Sequence, residues 1–307
     1  MFVWRNSANS KLLGCILLAL ALVSACARPG VSPQNARRTL TDGLGRTVSV
    51  VAKPQRIISL APNITEILFA VGLGDHVVGV TSYCDFPAAA QTKEKIGDTL
   101  HPNLERIIAL KPDLVLVTTS SQLETLTRQL DQLQIPVYIT NPRTVRDVIA
   151  SIRTLGEVIA AERAAIELAD EMARRLSAVE TRVGALPKPS VLYVLQTAPL
   201  ITAGRNTFIN DLITLAGGRS IAAEETTDYP QFSREAVIAR APEIILAPES
   251  HGAELVREAD LRRDFAATPA VRNQRIARVN ADWVDRPGPR IVEGLEQLAQ
   301  ALHPPSP

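Results

Sequence analysis

The sequence predicts an α/β protein of two lobes, each built on a mainly parallel sheet, joined by a long rigid helical connector. Three observations predict it. Strand-like and helix-like segments alternate before Pro142 and again after Pro187, a pattern that calls for parallel strands with covered faces. Between those prolines lies a proline-free stretch of about 40 residues whose apolar positions recur at helical spacing. Two segments, one on each side of that stretch, echo each other.

In chain order, Asp42-Gly43-Leu44-Gly45-Arg46 is a turn, followed by an alternating strand from Thr47 to Val51. The apolar run from Arg56 to Leu60 is a strand. Pro62 and Asn63 open a helix that stops at Gly72-Leu73-Gly74. Val77 to Val80 is a strand, Leu104 to Leu110 a helix, Leu114 to Val117 a strand, Leu123 to Leu133 a helix and Val137 to Ile139 a strand. These define a lobe over residues 41–143.

The connector, residues 144–187, starts at Thr144 with Asp147 placed to complete a cap, and Gly184 with Pro187 supplies its stop. Its apolar stripe reads Val145, Val148, Ile149, Ile152, Leu155, Ile166, Ala169, Met172, Leu176, Val179 and Val183. Gly156 and the turn near Ala160 are the places where it would divide into a shorter and a longer helix. At ~1.5 Å per residue, ~25 residues of helix reach about 40 Å, the width of a domain.

The pattern then restarts over residues 188–302. Val191 to Leu195 is a strand, and Phe208 to Ala216 a helix closed by Gly217-Gly218. Arg234 to Arg240 is a helix, Ile244 to Leu246 and Arg275 to Val279 are strands, and Arg290 to Leu302 is a helix. Residues 303–307, His-Pro-Pro-Ser-Pro, read as a disordered tail. The echo aligns the segment from Asn103 to Val117 with that from Ser233 to Ala247 at an offset of 130 residues, with five of fifteen positions identical. Each copy is a capped helix, a proline turn and a buried strand, which points to two related lobes.

The N-terminus differs from the rest. Arg5 and Lys11 precede an apolar run from Leu12 to Val23, of signal-peptide length and short for a membrane span. It ends in Val23-Ser24-Ala25-Cys26, which resembles a bacterial lipobox. Residues 1–25 are then a signal peptide, Cys26 a lipidated residue that anchors the chain to a membrane, and residues 26–40 a polar tether. Lipidation leaves Cys84 as the single free thiol of the mature chain, so no internal disulfide forms.

The chain has 307 residues with a net charge of +1 and no basic run, so nothing in its charge points to a nucleic-acid partner. The histidines His76, His101, His251 and His303 have no metal-ligand spacing. Aromatic residues are only 4% of the chain. Those on loops after strands therefore stand out, because ligands in open α/β sheets bind beyond the carboxyl ends of the strands. These loops are Tyr83-Cys84-Asp85-Phe86-Pro87, Asp228-Tyr229-Pro230 and Asp282-Trp283-Val284-Asp285-Arg286. Glu105 and Glu235 hold equivalent first-turn positions in the echo. They read as helix-dipole partners or as a matched two-point dock for basic groups.

The segments Thr41-Asp42-Gly43-Leu44-Gly45-Arg46, Pro54-Gln55-Arg56-Ile57-Ile58-Ser59-Leu60, Asn63-Ile64-Thr65-Glu66 and Asn103-Leu104-Glu105-Arg106-Ile107 resemble those of class III periplasmic binding proteins. That resemblance runs from about Thr41 to Leu302 and implies two Rossmann-like lobes joined by a helical backbone. It is strongest to the vitamin B12-binding receptors of ABC importers, through Tyr83-Cys84-Asp85-Phe86-Pro87, Asp282-Trp283-Val284-Asp285-Arg286 and Tyr229-Pro230-Gln231. The resemblance implies a non-enzymatic monomer without a cofactor that carries a corrinoid, or in the same fold a ferric siderophore or haem. Tyr83, Asp85, Phe86, Tyr229, Asp282, Trp283 and Arg286 would form its site. Glu105 and Glu235 would engage the permease dimer, which works with its ATPase subunits. Thr99, Leu195 and Ile201 stand where such receptors place further aromatics. A cell-envelope enzyme using Cys84 and a ligand sensor are the readings from other classes.

Overall fold

The structure is a computed structural model that describes residues 1–2, 36–118, 123–250, 253–254 and 256–304. The chain divides into two compact units, Met1–Ala36 and Arg37–Pro307. The expected signal peptide (apart from residues 1–2), Cys26 and the tether up to residue 35 lie outside the described residues, as do His251 and residues 305–307. Every strand and helix among the described residues belongs to the second unit.

That unit opens with an antiparallel hairpin, Arg37–Thr41 (β1) against Thr47–Val51 (β2). Here the structure corrects the tether's expected end. Arg37 to Leu40 are strand, because each pairs across the hairpin and the Arg37 guanidinium donates to the hydroxyl and carbonyl of Ser49.

The first lobe runs Ile57–Ser59 (β3), Pro62–Ala70 (α1), Val77–Val80 (β4), Glu94–Lys95 (β5), Leu104–Ala109 (α2), Leu114–Thr118 (β6), Leu123–Gln132 (α3) and Val137–Thr140 (β7). Its strands form one all-parallel sheet in the order β5-β4-β3-β6-β7. Every residue of β3 and β7 is buried, as continuous apolar strands covered on both faces require.

The connector is a shorter helix, Val145–Val158 (α4), and a longer one, Glu162–Val183 (α5), divided at the turn near Ala160 that the sequence marks. The break is at Ala160, whose φ of 58° no helix continues. The helices pack antiparallel, tied by Arg146–Glu180 near one end and Arg153–Asp170 near the other. They touch closely at Gly156, where an added β-carbon would collide with that of Ala165. The break also resets the helical phase: the buried stripe of α5 starts at Ala165 and continues through Ala169, Met172, Leu176, Val179 and Val183, while Ile166 is exposed. Helix α5 alone, about 33 Å at ~1.5 Å per residue, runs from Glu162, paired to Arg38 of β1, to Val183, which packs at Gly217 of the second lobe.

The second lobe runs Ser190–Tyr193 (β8), Gln196–Thr197 (β9), Leu200–Ile201 (β10), Phe208–Leu215 (α6), Arg219–Ser220 (β11), Arg234–Arg240 (α7), Ile244–Ser250 (β12), Ala253–Glu254 (β13), Glu258–Asp264 (α8), Pro269–Arg272 (α9), Ile276–Asn280 (β14), Ala281–Val284 (α10) and Ile291–Leu302 (α11). Strands β11-β8-β12-β14 are parallel neighbours, and β13 adds antiparallel to β12. The Arg175 guanidinium of α5 bonds Glu293 and Glu296 of α11, fastening the connector to this lobe. His303, expected in the tail, still donates its amide to Ala299 at the end of α11.

Candidate functional site

The site lies where residues beyond the carboxyl ends of the strands in one lobe meet those of the other. In the first lobe, the chain leaving β4 is pinned at once: Ser82 donates its amide to Gly97, and the Lys95 ammonium donates to the carbonyls of Cys84 and Ala90. The Cys84 thiol is buried against the hydroxyls of Thr65 and Thr81 at 3.1 and 3.2 Å. An accessible nucleophile, which the envelope-enzyme reading needs, is therefore not what Cys84 provides. It anchors the loop that carries Tyr83, Asp85 and Phe86.

In the second lobe, the loop of Tyr229 is strapped along residues 201–204. Thr202 and Gly204 donate their amides to the carbonyls of Pro230 and Asp228, and Ile201 bridges Gln231. The approach is so close that a β-carbon on Gly204 would collide with the Thr227 oxygen. Asp282 and Trp283, expected on a loop, sit on the short helix α10. Asn280 caps that helix by accepting from the Asp282 amide, and the buried Ala281 and Val284 hold it down.

Among the described residues from 36 to 304, the exposed Phe, Tyr and Trp rings are Tyr83, Phe86 and Tyr229. Tyr229 lines a cavity of about 490 Å³ together with Thr118, Asn141 and Arg143 from the first lobe, and Asn206, Phe208 and Pro287 from the second. Arg143 and Asp228 pair across it at 2.8 Å.

Asp85, Asp282 and Arg286 come together directly. The Arg286 guanidinium donates to both oxygens of Asp85, at 2.6 and 3.2 Å, and reaches Asp282 at 2.8 Å. Two residues outside the expected set complete the cluster. Arg290 grips Glu66 of α1 through Nη2 at 2.6 Å and Nε at 2.9 Å, and Arg286 lies 3.5 Å from the same carboxylate. The Arg290 guanidinium also lies 4.0 Å from the centre of the Phe86 ring, a cation–π contact. Glu66, Asp85 and Phe86 belong to the first lobe, and Asp282, Arg286 and Arg290 to the second. The Asn63 amide donates to the Pro287 carbonyl beside them.

The Glu66 side chain is only 2% exposed. Burial raises its carboxyl above the ordinary range, with Arg290 and Arg286 opposing that shift. Both its oxygens accept, which is the geometry of an ionised carboxylate. Beneath the cluster, the Tyr193 hydroxyl donates to Asp285 at 2.6 Å, and burial raises that carboxyl to about 6. Burial likewise raises the Tyr229 hydroxyl, with Asp228 and Asp285 adding to it. Glu66 was legible only as a carboxylate among Ile64, Ile67 and Leu68, a polar residue on a wholly buried helix face; its partners lie more than 200 residues away.

Glu105 and Glu235 are exposed in the first turns of α2 and α7, capped by Asn103 and Ser233. The Glu235 carboxyl is held below its ordinary range by its own backbone amide and the Ser233 hydroxyl.

Two facing lobes, matched parallel sheets and a helical connector define a class of proteins that hold a small molecule between domains. The chain belongs to the periplasmic binding protein family, which it matches over residues 57–282. It is 31% identical over 304 residues to the ABC transporter substrate-binding lipoprotein YvrC of Bacillus subtilis, spanning 94% of this chain and 95% of the relative. Its fold superposes on the vitamin B12-binding protein BtuF of Vibrio cholerae with a TM-score of 0.73 and 31% identity, covering 81% of this chain and 96% of that one. The heme-binding protein RhuT of Roseiflexus gives the same TM-score of 0.73 at 29% identity, covering 81% and 97%.

Proposed function

We propose that this chain is the substrate-binding component of an ABC importer, held outside the cytoplasm by a lipid on Cys26, and that it carries a corrinoid between its lobes. The observation that carries this reading is the distribution of exposed aromatic rings. In a chain with so few aromatics, Tyr83, Phe86 and Tyr229 stay uncovered on loops of opposite lobes. Flat rings left partly exposed on loops of both lobes suit a broad, flat guest. Relatives of the same fold that carry vitamin B12 support the corrinoid.

Tyr83, Asp85, Phe86, Tyr229, Asp282, Trp283 and Arg286 form the site in this reading. The loaded protein then presents Glu105 and Glu235 to the permease, whose ATPase subunits drive transport. Exposed ion pairs contribute only ~0–1 kcal/mol each, so the two carboxylates set register more than affinity. Calorimetric titration of the detergent-solubilised protein with cyanocobalamin is the test, and micromolar or tighter binding is expected. Binding of haemin or a ferric siderophore with no response to cyanocobalamin would transfer the protein to the haem and iron-chelate carriers of this fold.

A further inference from the structure

Between the lobes, the cationic groups of the described residues that a ligand would approach are already engaged. The Arg290 fork is filled by both oxygens of Glu66, and its guanidinium also contacts the Phe86 ring. Both terminal nitrogens of Arg286 are held by carboxylates, Asp85 and Asp282. Arg143 pairs with Asp228 at the cavity wall, and Lys95 is turned to the carbonyls behind the Asp85 loop. In the cluster itself, two guanidiniums face three carboxylates, with Asp285 as a fourth below.

A carboxylate or catecholate on a guest gains binding from an arginine only when the fork is open to it. Here it would have to displace an internal partner, leaving Glu66 buried without its ion pair or Asp85 half-buried without its own, which is unfavourable. Like charge facing like charge in a cleft of lowered dielectric adds to the exclusion.

We propose that Glu66 and Asp85 are selectivity determinants: by occupying Arg290 and Arg286 they restrict the cleft to uncharged or cationic metal chelates and exclude anionic ones. This rests on the proposed role as a substrate-binding protein, but not on the corrinoid. Glu66 holds Arg290 and is nearly inaccessible, whereas Asp85 holds Arg286 with its own side chain 26% exposed. Asp85 is therefore the group through which selectivity is set at the ligand surface.

The test is a titration of the solubilised protein and its Asp85→Asn variant with four probes: cyanocobalamin and ferrichrome, both uncharged, and haemin and ferric enterobactin, both anionic. The wild type is expected to bind an uncharged probe at least about 100-fold more tightly than either anion. Asp85→Asn, which removes the negative charge and one of the two acceptors that hold Arg286, is expected to narrow that ratio by about 10-fold or more, and Asp85→Glu to restore it. A merely structural role for Asp85 would move stability and leave the ratio alone. Wild-type protein that takes haemin or ferric enterobactin as tightly as an uncharged probe overturns the inference. So does a folded Asp85→Asn variant, checked by circular dichroism and thermal melting, whose ratio is unchanged. Binding of ferrichrome without cyanocobalamin would sink the corrinoid reading and uphold the charge rule.

Discussion

The two lobes agree where the backbone must be held and differ where they face each other. Strands β4-β3-β6-β7 of the first match β11-β8-β12-β14 of the second in order and direction. Left-handed residues recur at equivalent turns, Gly72 with Gly217 after the first helix and Lys111 with Ala241 in the echo, at φ of 82° and 82°, and 47° and 45°. In each echo the acidic residue after the proline pins the neighbouring strand: Asp113 accepts from the amides of Gln55 and Arg56, and Glu243 from that of Ser190. The facing surfaces are not copies. Carboxylates Glu66 and Asp85 come from the first lobe, and the guanidiniums that answer them from the second. A shared scaffold with charges divided between its halves makes each half complete only against the other.

The largest expected effect breaks that division. Arg290→Ala leaves Glu66 buried without its main partner, and loss of one member of a buried pair costs about 3–5 kcal/mol. Urea unfolding should show a loss in that range. The double variant Glu66→Met/Arg290→Met, which removes both charges, should be less destabilised than Arg290→Ala alone. A loss under about 1 kcal/mol for Arg290→Ala would mean that the lobes are not held by this pair.

Asp285 gives the second lobe a feature with a pH signature. Its carboxyl is raised to about 6 by burial, with Asp282 adding and with Tyr193 and Arg286 opposing. A raised carboxyl means that the folded state holds its proton longer than the unfolded chain does. Its contribution to stability is therefore full below about pH 4, is lost as pH rises to about 6, and is level above that. Asp285→Asn keeps an acceptor for the Tyr193 hydroxyl and removes the ionisation. It should be the more stable form at pH 7, by up to about 3 kcal/mol. The gap should shrink towards pH 4; melting curves that keep a constant gap across this range would refute the buried-carboxyl assignment.

Much of the scaffold was legible because it depends on local pattern. Continuous apolar runs located β3, β6, β7 and β12, and the capped helices of the echo located α2 and α7. Two-residue strands such as β5 and β11 are too short to show a period. The connector was legible as helix but not as a hairpin, since one left-handed alanine turns it back and moves Ile166 off the buried stripe. At the site, the scarcity of aromatics exposed Tyr83, Phe86 and Tyr229 to notice. The pairing of Glu66 with Arg290 was not legible, because nothing local marks partners contributed by opposite lobes.

The connector itself is tested by Gly156→Val. The added side chain collides with Ala165 where α4 and α5 are in closest contact. Overpacking of this kind costs about 1–3 kcal/mol. Because the hairpin belongs to neither repeat, the variant should lower the stability of the whole unit in a single transition. Two separated unfolding steps would instead show that the lobes fold independently of it.

The smallest effect sharpens the comparison most. Asn103 accepts from the Arg106 amide and Ser233 from that of Ala236, at 2.9 and 3.1 Å, and both caps are exposed at the start of short helices. Asn103→Ala and Ser233→Ala should each cost about 1 kcal/mol in urea unfolding, because each strands one helix amide without a partner. If the echo is a true structural repeat in one cooperative unit, the two losses agree within about 0.5 kcal/mol and add in the double variant, since the sites are far apart and share no partner. A cap that matters in one lobe and not in the other would mean that the repeats agree in shape but not in what stabilises them.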